Sequence, residues 1–183
     1  MALFDQFDNA SLALKTLAEN DDILRKYISN DLEKQKLLPT KKENYMAFSK
    51  LIKVIISQQL SGSAADKIYS RFCNTFNLDT YFQAENLNGL SQLQIRNCGI
   101  SNSKASFILS LREKIIIEKD FFQKIEMYSD SELELALIEI KGIGKWTAKI
   151  LMMSHYGRID IFPESDGTLI KAISLMNYDV KDI

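Results

Sequence analysis

Two groups with complementary chemistry lie close together near the end of this 183-residue chain. The first is Ile140-Lys141-Gly142-Ile143-Gly144-Lys145-Trp146-Thr147-Ala148, a pair of glycines between two helix-compatible stretches. The second is Asp160-Ile161-Phe162-Pro163-Glu164-Ser165-Asp166-Gly167, in which Asp166 follows Gly144 by 22 residues. Gly142 and Gly144 allow a turn between helices to take positive φ and let another backbone come close. Such a turn leaves the N–H groups of Gly144, Lys145 and Thr147 free at the start of the following helix. Oriented donors and the positive end of the helix dipole attract phosphate there, and Lys145 adds charge. A site of this kind grips a nucleic-acid backbone without reading base edges. Taken alone, the glycines suit an ordinary tight helix connection equally well, and Asp166-Gly167-Thr168-Leu169 suits an ordinary helix N-cap.

The elements that must hold these groups read as helices. Only Pro39 and Pro163 interrupt a sequence rich in Leu, Ile, Ala, Lys and Glu, and no stretch sustains period-two alternation, so the fold class is all-α. Leu12, Leu14, Leu17, Ile23, Leu24 and Ile28 suit one or two N-terminal helices ending before Ser29 to Lys36. Asn44 opens a strongly apolar helix through Phe48, Leu51, Ile52, Val54, Ile55 and Ile56, expected at the centre of the core. It runs into Ser57-Gln58-Gln59-Leu60-Ser61-Gly62. Ser63 with Asp66 is a candidate capping box for the next helix, with Ala64, Ile68 and Phe72 on one face. Ser91 to Cys98 reads as a short helix stopped by Gly99, and Ser103 to Glu118 as another, apolar at Phe107, Ile108, Leu111 and Ile115. Ser131 with Glu134 repeats the capping pattern before Leu135 and Ile138, starting the helix that enters the glycine pair. Lys145 to His155 leaves it, with Ala148, Leu151, Met152 and His155 on one face. Residues 1–183 are read as a single helical domain, with the two-helix hairpin at about 131–155.

Composition narrows the function classes. A net charge of −1 argues against a generally basic nucleic-acid binder, yet Lys141 to Lys171 carries five basic residues against three acidic ones. That weakly basic patch is compatible with phosphate contact. From Met127 to Ile140 the acids Asp130, Glu132, Glu134 and Glu139 stand without a Lys or Arg. No apolar run approaches the roughly 18 residues of a membrane span, and Met1-Ala2-Leu3-Phe4-Asp5 has no basic region ahead of an apolar one. A cytoplasmic protein, in a bacterial cytosol or nucleoid and away from membranes, is expected. Cys73, Cys98 and the single His155 cannot build a zinc or iron–sulfur site, so no metal is expected on side chains. His155, on an apolar helix face, reads as a packed histidine rather than a base.

The hairpin segment resembles the helix-hairpin-helix motif of the DNA glycosylase superfamily, in its 3-methyladenine DNA glycosylase II branch. The likeness extends to Ile55-Ile56-Ser57-Gln58-Gln59-Leu60-Ser61, similar to that branch's Gln-Gln segment. It also takes in Cys98-Gly99-Ile100-Ser101 with Lys104-Ala105 and the aspartate element, and covers about Asn44 to Ala172 with the motifs in order. The resemblance implies a two-lobed helical fold acting on double-stranded DNA that contains a damaged base. Asp166 becomes the catalytic aspartate; Gly142, Gly144, Lys145 and Thr147 hold DNA phosphate. Gln59, or adjacent Leu60, becomes the wedge that fills the gap left by a flipped base. A carboxylate beneath the sugar stabilises an oxocarbenium-like state or orients water. One carboxylate suffices when the base is alkylated at a ring nitrogen, since it is already a cationic leaving group.

Trp146 stands where related strand-cutting glycosylases have a Schiff-base lysine, which implies hydrolysis without a lyase step. Its indole can also stack on a positively charged lesion in the base pocket. The alternatives are core filling for Trp146 and a plain polar helix connection for Ser57 to Gly62. The family often has a second acid where Ser165 stands. No organic cofactor is implied, though the hairpin backbone admits a monovalent cation, and a monomer is expected. The family also continues past the aspartate helix with a tryptophan and an arginine motif; this chain has one tryptophan, and its C-terminus is read as shortened. Two other functions fit: a non-catalytic helix-hairpin-helix module that binds DNA or senses lesions, and a helical protein–protein adaptor using the Asp130 to Glu139 face.

Overall fold

Apolar residues at helical spacing place Phe48, Leu51, Ile52, Ile55 and Ile56 inside, and this segment forms α1, Ala47–Ser57, entered through a 3-10 turn at Asn44–Met46. The structure, a computed structural model, describes residues 41–175 together with 15, 16, 18–22 and 25. Most of the N-terminal helices expected over Leu12 to Ile28, and the chain beyond Leu175, lie outside the described residues. Within them every regular element is helical, as the missing period-two pattern predicts.

The order continues with α2, Gly62–Thr75, a 3-10 turn at Ala84–Leu87, α3, Gln92–Asn97, and α4, Asn102–Ile117. Then follow α5, Phe121–Glu126, α6, Asp130–Ile138, α7, Lys145–Ser154, and α8, Gly167–Leu175. α1 packs against α2 and α4, α3 against α4, and α6 against α7. One hydrophobic cluster runs from Phe48 and Leu51 through Ile108 and Leu111 to Leu133, Leu137, Leu151 and Met152. Arg112 of α4 donates to the Leu87 and Leu90 carbonyls and ties the 84–90 turn to that core.

Several helix starts differ from those expected. α2 begins at Gly62 after an extended Ser61, so Ser63 is inside the helix, and Asp66 pairs instead with Lys53 at 3.1 Å. Ala65, not Ala64, is the buried alanine. Ser101 caps α4 through the Lys104 N–H, so the helix opens at Asn102 and not at Ser103. The capping box of α6 is Ser129 with Glu132 rather than Ser131 with Glu134. Both pairs satisfy the spacing, and burial decides: Leu133 and Leu137 face the core, while Leu135 is 65% exposed. α5, not anticipated, buries Phe121, Phe122 and Ile125.

Arg158 joins these parts. Its guanidinium donates to the Glu126 and Tyr128 carbonyls and pairs with Asp130 at 3.1 Å. Asp130 and the cap residue Glu132 therefore serve internal contacts, which leaves less of an acidic face for an adaptor.

His155, at the C-cap of α7, is buried, and neither ring nitrogen has a hydrogen-bond partner among the described residues. Burial, then the nearby Lys50 charge, pushes its pKa down to about 4. It is a neutral packed histidine, as its place on an apolar face predicts. A base whose folded pKa is depressed leaves the fold with fewer protons than the unfolded chain between about pH 4 and 6.5. Its stabilising contribution is complete above 6.5 and lost as pH falls toward 4, a change of about 3 kcal/mol. Urea unfolding at stepped pH should show that decline, and His155→Phe should flatten it while the decline due to carboxylates persists.

Candidate active site

The turn between α6 and α7 is closed by the Ile143 N–H on the Ile140 carbonyl at 2.9 Å, with both isoleucines buried. Gly142 has φ +91°, and a Cβ there would lie 2.2 Å from Cδ2 of Phe107. Position 142 is therefore glycine for both backbone and space. Gly144 is not: its φ is −93°, an extended backbone open to any residue, and a Cβ would meet nothing within 4 Å. Its φ is negative where a positive one was expected, and only the open space beside it lets another backbone come close.

The first ladder bond of α7 runs from the Ala148 N–H to the Gly144 carbonyl at 2.9 Å. The N–H groups of Lys145, Trp146 and Thr147 precede the ladder and have no acceptor within the helix. Gly144 and Lys145 are exposed. Thr147 is buried, and its hydroxyl accepts from Gln58 Nε2 at 3.4 Å.

The C-terminal end of α1 reaches the same place. Gln58 Nε2 also donates to the Gly142 carbonyl at 2.9 Å. From the other side, Lys104 Nζ donates to the Ile56 and Gln58 carbonyls at 2.9 and 2.6 Å, and burial lowers its pKa. Gln59 is held at φ +57°, and both it and Leu60 are exposed at the tip of this pinned loop, Leu60 by 39%. Sequence reasoning singled out the tip but gave no anchoring role to Gln58 or Lys104. Gln58 lies 84 residues before Gly142, so no local spacing signals the contact.

Asp166 caps α8. Its Oδ1 accepts from the Thr168 and Leu169 N–H groups, both at 2.9 Å, while its Oδ2 accepts from Trp146 Nε1 at 2.7 Å. The Leu169 N–H, then the indole, hold this carboxyl below the usual aspartate range. Trp146 is 38% exposed, so it does not simply fill the core. One turn further along α7, Lys149 donates to the Phe162 carbonyl at 3.0 Å and pairs with the Glu164 carboxylate. Glu164 is thereby a fixed anion, also held below its ordinary pKa by Lys149.

The sequence-predicted residues thus fall into two assemblies joined through α7: the hairpin with the Gln59 tip, and Trp146 with Asp166. Among the described residues, no group of three or more His, Cys, Asp or Glu could hold a metal ion. The Ile140 and Gly142 carbonyls each have one bond, from Ile143 and Gln58. Each keeps a second lone pair, the kind of ligand that the expected monovalent cation would need. No helix among the described residues is long and apolar enough to cross a membrane.

Residues 52–179 match the HhH-GPD superfamily base excision DNA repair protein family. The chain is 32% identical over 158 residues to DNA-3-methyladenine glycosylase 1 of Schizosaccharomyces pombe, covering 86% of this chain and 67% of that protein. It is 29% identical over 177 residues to the DNA-3-methyladenine glycosylase of Saccharomyces cerevisiae, covering 90% of this chain and 58% of that protein. Among solved structures, the S. pombe 3-methyladenine DNA glycosylase in complex with abasic DNA superposes with a TM-score of 0.70 at 25% identity. That match covers 90% of this chain and 80% of the other.

The two hairpin glycines should respond differently to a methyl group. Gly142→Ala, facing both the φ and the Phe107 contact, should lose about 2–4 kcal/mol of stability in chemical unfolding. Gly144→Ala should stay within about 1 kcal/mol of the parent.

Proposed function

The chain belongs to the HhH-GPD superfamily of base excision DNA repair proteins, and on that footing we propose that it is a monofunctional DNA glycosylase of the 3-methyladenine type. It flips an alkylated purine out of duplex DNA and hydrolyses its N-glycosidic bond. The observation that carries this reading is Asp166, a carboxylate held ionised by three N–H donors and fastened to the helix that leaves the hairpin.

The reaction follows from those contacts. A DNA phosphate sits on the free N–H groups of Gly144, Lys145 and Thr147, beside the turn that Gly142 makes possible, and the Lys145 ammonium adds long-range attraction. Gln59 and Leu60 occupy the gap in the stack while the extruded base lies against the Trp146 ring. A base alkylated at a ring nitrogen carries positive charge, and the glycosidic electron pair neutralises it as the bond breaks. Positive charge then builds on the sugar, where the Asp166 anion offsets it. Water adds at the anomeric carbon and releases its proton to bulk solvent. An aspartate already accepting three hydrogen bonds is a weak base, so it contributes charge and orientation more than proton abstraction.

This favours cationic alkylpurines over neutral lesions, which need protonation to depart; the neighbouring acid Glu164 is tied up by Lys149. With tryptophan at position 146, no lysine stands in the Schiff-base place, which supports hydrolysis without strand cleavage. The reaction needs no organic cofactor, and no step is routed through the hairpin cation. The relatives are longer than this chain, which spans 67% and 58% of the two curated proteins, so its activity as it stands is part of the proposal.

Purified protein should release free methylated purine from methylated duplex DNA, with no alkali-independent strand nicking and no borohydride-trapped adduct. Asp166→Asn should lower release by about 100- to 1000-fold with DNA affinity nearly unchanged. Equal release by both proteins would sink the role of Asp166. Binding without release would indicate a lesion-sensing module, and no binding would point to the adaptor.

A further inference from the structure

The hydrogen bond between Trp146 and Asp166 joins the first turn of α7 to the residue that caps α8, 20 residues on in sequence. We infer that Trp146 is the positioning residue for Asp166: its indole N–H fixes the outer carboxylate oxygen and sets the distance between the phosphate grip and the reacting sugar. The inference rests on the glycosylase reading of Asp166 and concerns the nitrogen edge of the indole, not the ring face.

Three observations support it. The α8 backbone uses only Oδ1, through Thr168 and Leu169, so the Trp146 N–H is the contact that fixes Oδ2 at 2.7 Å. Indole nitrogen donates and cannot accept, so a proton on Oδ2 would face a donor and lose the bond; the contact therefore selects the ionised carboxylate. Finally, Trp146 does not act on a loose loop. Lys149, three residues on and on the same face of α7, fastens the same segment at Phe162 and Glu164. The phosphate-facing N–H groups of Lys145 and Thr147 flank Trp146 in the same turn. One turn of helix thus carries both the grip and the strut, and the spacing between them follows helix geometry.

Because Trp146 is the only tryptophan in the chain, it can be altered or observed alone. Replacing it with benzothienylalanine in a tryptophan-auxotrophic host keeps the shape and aromatic face and removes only the N–H. The substituted protein should release methylated purine with kcat about tenfold lower, with affinity for abasic duplex within about twofold of the parent. The acid limb of its kcat–pH profile should move to higher pH. The encoded variant Trp146→Phe should behave in the same direction.

Unchanged kcat and acid limb would overturn the inference. So would a loss confined to DNA affinity, which would assign the indole N–H to the grip on the duplex and not to the catalytic carboxylate. A second arm needs no activity: indole fluorescence, followed on acidification while circular dichroism shows the fold intact, should change with protonation of Asp166 and not in Asp166→Asn. If the parent releases no base yet shows this coupled change, the glycosylase reading fails and the strut stands. If the indole is blind to Asp166, the strut fails whatever the activity.

Discussion

The hairpin can close only because position 142 has no side chain. The Phe107 ring fills the volume a Cβ would need, and so α4 buttresses the turn from behind. The same helix, one turn earlier, sends Lys104 to the last carbonyls of α1. From the end of α1, Gln58 reaches back to the carbonyl of Gly142. These contacts form a closed loop of dependence: α4 positions α1, α1 grips the turn, and the turn rests on α4. The start of α7, and through it Trp146 and Asp166, inherits its position from that loop.

Three helix termini converge near this point, and they are treated differently. The carbonyl end of α1 is satisfied by an ammonium from outside the helix, and the N–H end of α8 is satisfied by Asp166. The N–H end of α7 has Gly144 as its N-cap and no side-chain acceptor. A serine or aspartate there would cap the helix better, since its oxygen would take the free N–H groups. It would also occupy the donors that an anion needs. This gives Gly144 a reason distinct from backbone freedom: it is the residue that does not compete.

Legibility in the sequence followed the range of the interactions involved. The all-α class, α1, α7 and the position of the turn come from periodicity and glycine, which act within a few residues. Cap choice did not, because Ser129-x-x-Glu132 and Ser131-x-x-Glu134 both satisfy the local rule, and the tie is broken by which leucines find the core. α5 was missed because its six residues have no glycine stop like the Gly99 that marks the equally short α3. Within the site, Trp146 and Asp166 were named for separate reasons, one as a ring and one as a charge. That they touch is a fact about the path of the intervening chain, including the Lys149 clamp, and no spacing rule encodes it.

Gln59 carries a backbone conformation that L-residues with a side chain seldom adopt, unfavourable by about 1 kcal/mol. The folded protein holds it there by anchoring Gln58 on one side and by the Leu60 N–H on the Ser57 carbonyl. For a tip that enters DNA as proposed, the consequence is kinetic. The bend already exists before the duplex arrives, so the slow coordinate of base extrusion belongs to the opening of the nucleic acid, and the protein meets each transient opening with a shape that is already made.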